Sequence, residues 1–178
     1  MICQHCHMEV YAHYLECPEC GFIDKALDIQ LSSHDFIEPF IRSAVNLFGF
    51  NMRDKDEEGT YFCSSPAIPK PFFLKLFDIP KELENKPYTK NLKYTFFEQI
   101  PGFASRNKID FYQALCQANL RNPWVTCISV GELDSLFINA IYHPGLIFTM
   151  RDFLVFLETA YSGTDMILTE LEEFLFQE

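Results

Sequence analysis

Apolar positions recur at helical spacing in several stretches of the chain. Phe36, Phe40, Ile41, Ala44, Val45 and Phe48 fall on one face of a helix over 33–49. Ser32 or Ser33 can cap its start and Gly49 its end, while Pro39 fits only a first turn, which moves the regular helix to about Glu38. Ile109, Tyr112, Leu115, Cys116 and Ala118 or Asn119 give a second inward face, on a helix that opens at Ser105 or Asn107 and runs to Arg121. A third helix is predicted over 133–142. Thr149 and Asp152 have the spacing of a capping box, opening a helix that buries Phe153, Leu154, Leu157 and Tyr161. Ser162-Gly163 is read as its end. Thr164 then caps a last helix with Ile167, Leu168, Leu171 and Leu175 on one face and Glu170, Glu172 and Glu173 opposite.

Runs of β-favouring residues lie between these helices. Tyr61-Phe62-Cys63, 72–79, 93–100, 124–130 and 146–148 read as strands, with prolines and the acidic turn 54–58 as punctuation. The expected fold class is α+β, with α/β as the rival arrangement. A zinc ribbon at 1–30 precedes a mainly helical domain at 31–178 with a few interleaved strands.

The clearest chemistry lies at the start. Cys3-Gln4-His5-Cys6 and Cys17-Pro18-Glu19-Cys20-Gly21 offer four thiolates from two C-x-x-C turns. The ten intervening residues suffice for a hairpin that folds one pair over the other. Four sulfurs suit a tetrahedral zinc ion and leave no open position, which makes the site structural. Iron is the rival for such a set, and His5, His7 and His13 are rival ligands. Residues 1–22 resemble the short zinc-ribbon family, most of all at Cys17-Pro18-Glu19-Cys20-Gly21. The resemblance implies a Zn²⁺ held by Cys3, Cys6, Cys17 and Cys20. His7 departs from it, standing where glycine is common.

Other catalytic signatures are missing from the sequence. It contains no glycine-rich phosphate loop, no G-x-S-x-G elbow and no H-E-x-x-H. Cys116 or Cys127 with His143 would be the candidate pair for nucleophilic catalysis, but both cysteines lie in apolar patterns and read as small core residues, and His143 reads as a turn residue.

Charge narrows the function classes. The formal net charge is −11. Residues 132–178 carry nine acids against the single base Arg151, and residues 1–24 carry Glu9, Glu16, Glu19 and Asp24 with no Lys or Arg. Such a balance disfavours direct nucleic-acid binding and suits a basic protein partner. The Lys-rich middle, including Lys70, Lys75, Lys90 and Lys93, is interleaved with Tyr94, Phe96 and Phe97. It reads as a solvated strand edge, the rival being a single-strand binding face.

The expected function is therefore a non-enzymatic, zinc-containing acidic protein that binds a basic or nucleic-acid-binding protein and inhibits or regulates it, as immunity proteins do. Glu170, Glu172 and Glu173 are its candidate partner-binding residues. The alternatives are a nucleic-acid-associated regulator using the ribbon and residues 70–108, and an enzyme of unrecognised type. With no long apolar run and a polar, Cys-rich opening, no membrane partner and a cytoplasmic location are expected.

Overall fold

The computed structural model describes residues 1–67, 70–78, 90–100, 108–130 and 134–175. After the cysteine-rich opening and a 3₁₀ turn at Lys25–Asp28, the elements in chain order are β1 (Leu31–Ser32), α1 (Glu38–Leu47), β2 (Asn51–Met52), β3 (Thr60–Ser64), β4 (Phe72–Asp78), β5 (Lys90–Gln99), α2 (Lys108–Arg121), β6 (Thr126–Val130), β7 (Ser135–Tyr142), β8 (Ile147–Phe148), α3 (Met150–Glu170) and α4 (Glu172–Leu175). Six strands form one sheet in the order β2-β3-β4-β5-β7-β6, and β1 pairs with β8 in a small second sheet. This is the mixed α+β class that the sequence pattern implies.

The chain divides into two compact units, and β5, β7 and α3 each run through the division. The first unit holds residues 1–93 and 141–158, and the second 94–140 and 159–178.

In the first unit α1 starts where Pro39 permits. Ile37 stands at its N-cap and Glu38 fills its first turn. Glu38 pairs with Arg42 at 2.9 Å and accepts a hydrogen bond from the Tyr61 hydroxyl at 2.8 Å, which ties the helix to β3. Gly49, at φ +95°, then turns the chain out of the helix toward β2. An aromatic cluster fills the space beneath. Phe36 has ring centroids 5.4 Å from those of Tyr142, Phe148 and Phe153, two of them edge-on. Thr149 opens α3 with the expected box: its N–H and hydroxyl both donate to the Asp152 carboxylate at 2.8 Å.

In the second unit β6 and β7 form an antiparallel hairpin with Thr126 opposite Asn139 and Val130 opposite Ser135. The stretch 133–142, expected as a helix, is thus a strand from Ser135 onward. Leu136, Ile138 and Ala140 alternate inward, at 0%, 0% and 5% exposure. A short apolar run fits either period, and pairing with β6 decides for β.

Two further expectations are corrected in this unit. α2 buries Phe111, Leu115 and Ala118, whereas Ile109 and Tyr112 face outward and Cys116 is exposed rather than in the core. The sequence offers two overlapping apolar stripes, and the larger Phe111 takes the inside.

α3 also passes through Ser162-Gly163 without a break. A Cβ on Gly163 would lie 3.0 Å from Val125 Cγ2, so this glycine serves a close approach of side chain to helix rather than a terminus. Thr164, expected as a cap, donates its hydroxyl to the Ala160 carbonyl one turn back and also meets the Tyr94 hydroxyl at 3.2 Å.

Candidate metal centre

Two tight loops built on one plan carry the four cysteines. In the first, His7 N–H donates to Cys3 O at 3.0 Å and Cys3 N–H to Met8 O at 2.9 Å. In the second, Gly21 N–H donates to Cys17 O at 2.8 Å and Cys17 N–H to Phe22 O at 2.9 Å. Each loop ends in a left-handed residue, His7 at φ +59° and Gly21 at φ +68°. The histidine that departs from the ribbon pattern thus adopts the backbone conformation that glycine supplies in the other loop. His5 stacks on Phe22 with ring centroids 5.6 Å apart and so bridges the two loops.

The sulfurs converge as this plan requires. All four Sγ atoms lie within 4.8 Å of one another. Cys3 and Cys20 are 3.8 Å apart, and Cys6 and Cys17 3.7 Å. A tetrahedron with metal–sulfur bonds of ~2.3 Å has edges of about 3.8 Å, so the spacing fits a bound ion. It is far too long for disulfides, whose bond is ~2.05 Å.

The thiols themselves call for a cation. Amides of Cys6 and His5 hold Cys3 down to about 6. The Phe22 amide works to lower Cys20, yet burial and the neighbouring sulfurs outweigh it and push that thiol up to about 12. Four adjacent thiolates cannot all ionise without a positive charge among them. The four cysteines can hold a metal ion. No histidine joins the cluster: His13 instead lies 3.5 Å from Glu158 and packs on Tyr14.

The loop joining the two knuckles is gripped by α3. Arg151, 9% exposed, donates from Nη1 to the carbonyls of Ala12 and Tyr14, and from Nε and Nη2 to the Asp28 carboxylate. That guanidinium holds the Asp28 carboxyl below the usual range. Two turns further along α3, Glu158 accepts the Ala12 N–H at 3.2 Å. Ala12 is fully buried between these grips. At the other edge Ile2 N–H donates to Leu47 O, at the end of α1.

Neither Arg151 nor Glu158 was singled out as a site residue by its sequence setting. The one available signal was that Arg151 is the lone base in a strongly acidic segment.

No family model matches the chain, and no curated protein does. Among solved structures, the chain is similar in fold to "YbjN, a putative transcription regulator from E. coli". The fold resembles that of YbjN. The likeness has a TM-score of 0.53 and covers 76% of this chain and 90% of YbjN. At 10% identity it speaks for the fold alone.

The remaining candidates are placed as follows. Glu170 is half-buried and pairs with Arg121 at 3.6 Å, Glu172 is exposed, and the Glu173 side chain lies outside the described residues. Cys63 and Cys127 are buried, and burial pushes both thiols up to about 12, as befits inert core residues. His143 meets Asn91 Oδ1 through Nδ1 at 2.7 Å. Of the Lys-rich middle, residues 79–89 and 101–107 lie outside the described residues. No helix among the described residues is long and apolar enough to cross a membrane.

Proposed function

We propose that this is a non-enzymatic, zinc-stapled acidic protein that binds a basic protein partner and regulates it. One observation carries the reading. Four cysteines close around a single point, on a module whose residues 1–24 bear four carboxylates and no Lys or Arg. A four-sulfur site leaves an ion no position for substrate, so its contribution is to hold a surface in shape. Zinc is the ion of choice for such a set, having no redox chemistry and no geometric demand beyond the tetrahedron.

The acidic surface favours a cationic partner and repels phosphate backbones, which places direct nucleic-acid contact second. Regulation is taken from the description of YbjN and is the part of the proposal that rests on fold alone.

Affinity capture from the native cell tests the reading. The zinc-loaded chain should retain a basic protein that is released as salt rises, and the Cys17→Ser variant should not retain it. Capture of nucleic acid in its place, with protein-free nucleic acid bound by the purified chain at physiological salt, would overturn the assignment.

A further inference from the structure

The helix α2 is apolar on two faces. Phe111, Leu115 and Ala118 are buried, and the Phe111 ring meets Phe174 edge-on at 5.8 Å, which fixes how the helix is turned. The other face carries Ile109, Tyr112, Gln113, Cys116, Gln117 and Leu120, neighbours at helical spacing. These side chains stand in solvent: Ile109 is 69% exposed, Tyr112 42% and Leu120 82%. Trp124, three residues past the helix, is 75% exposed. A helix apolar all round is ordinarily covered all round, and an exposed stripe of this kind marks an interaction surface.

Charge selects what covers it. From Ile109 to Trp124 the charged residues are Asp110, near one end of the helix, and Arg121, at the other. Two copies of a chain that carries −11 repel each other at long range, and the stripe is a place where they meet without opposing carboxylates. A basic partner gains nothing from such a face. Antiparallel contact of two copies sets Asp110 of each toward Arg121 of the other, opposite signs at both ends, whereas parallel contact sets like charges together. The Arg121 side chain, which also meets Glu170 at 3.6 Å, is 65% exposed.

The rival contact between copies, along the free edge of the sheet, is closed. β6 is the last strand in the order, and Thr126–Val130 holds neither a charge nor a proline to protect it. Asn119 of α2 does so instead. Its side chain donates to Cys127 O at 2.9 Å and accepts the Cys127 N–H at 2.6 Å. The carboxamide thus stands where the peptide of a neighbouring strand would stand, which leaves the outer face of α2 to meet a second copy.

We infer that two copies of this chain pair through α2, antiparallel about a two-fold axis near Cys116. Leu120 of each copy enters the shallow groove between Ile109, Tyr112, Gln113 and Cys116 of the other, the i, i+3, i+4, i+7 frame of a knob-into-hole contact. The helix has 14 residues and is about 21 Å long. That is short for the ~800 Å² per partner of a standard interface, so the dimer is weak, with a dissociation constant in the micromolar range. The inference does not depend on the reading of a basic partner.

Sedimentation velocity on the full zinc-loaded chain tests it, with a reductant present so that no disulfide contributes. The chain should pass from monomer to dimer across the micromolar range. Leu120→Glu should weaken the dimer at least about tenfold and leave the far-UV circular dichroism unchanged, because the position is exposed. Asp110→Arg and Arg121→Asp should each weaken it too, since each sets like charges opposite one another. An equimolar mixture of these two variants should recover the dimer, a rescue that also decides the matter if Leu120→Glu misfolds. A monomer at every concentration would overturn the inference. So would a dimer indifferent to Leu120→Glu, or charge variants that fail to rescue each other. A monomeric chain that retains a foreign protein, and loses it on Leu120→Glu, would put a different protein on the stripe and overturn the pairing of copies.

Discussion

His7 and Gly21 occupy equivalent places in the two knuckles, yet only one of them is a glycine. A left-handed conformation costs an ordinary side chain about 1–2 kcal/mol, and a β-branched one resists it most. His7→Gly should therefore leave metal affinity unchanged or improved, whereas His7→Val should weaken it by about tenfold or more. Competition against a chromogenic zinc chelator measures both, and loss of metal in His7→Gly would instead mark His7 as a ligand. Arg151 gives the second prediction at this scale. Replacing it with Ala strands the buried Ala12 carbonyl, releases the part-buried Tyr14 carbonyl and leaves Asp28 without its cation, so stability should fall by about 2–3 kcal/mol in urea unfolding. Lys should recover only part of the loss, because a single ammonium cannot reach two carbonyls and a carboxylate in the plane of a guanidinium.

Along α3, Gly163 sets two effects against each other. Alanine there gains about 1 kcal/mol of helix propensity. Its Cβ would meet Val125 Cγ2 at 3.0 Å and Cγ1 at 3.1 Å, and overpacking of that kind costs ~1–3 kcal/mol. Gly163→Ala should be net destabilising, by about 1 kcal/mol. In combination with Val125→Ala it should cost less than the two single changes together, and additive unfolding energies would disprove the contact. The same glycine shows where sequence reading reaches its limit. Ser162-Gly163-Thr164 has the local chemistry of a stop and a restart, whereas the helix runs on and the glycine answers to the approach of Val125, from a distant part of the chain. The strand at Ser135–Tyr142 is a similar case, since its period becomes decisive only once β6 lies beside it. By contrast, α1 was legible to within a residue because Pro39 fixes its first turn, and the Thr149–Asp152 box announced α3. The four-cysteine cluster was legible outright, because C-x-x-C spacing is a local property. Its anchorage was not, because Arg151 and Glu158 act on Ala12 from more than a hundred residues away.

For the molecule as a whole, the metal should govern the knuckles and leave most of the fold alone. Elemental analysis should find about one zinc per chain. A chelator, or acid that protonates the thiolates, should remove amide protection from residues 1–24 while Ile41, Val45 and the β6–β7 hairpin keep theirs. Global unfolding on chelation would show instead that the ion supports the core. The reach of Arg151 has one more consequence, in the order of events during synthesis. The two knuckles are complete once residue 22 has left the ribosome, and the ten residues between their cysteine pairs need no other part of the chain to close. The side chains that fasten their connecting loop are separated from it by 139 and 146 positions. For most of translation the ribbon would thus take up its ion with only the Ile2–Leu47 contact beside it, before Arg151 and Glu158 exist to fasten the loop. An ion acquired early would keep four reactive sulfurs from oxidising or mispairing until α3 emerges, and starving cells of zinc should then harm the newly made chain far more than the finished one.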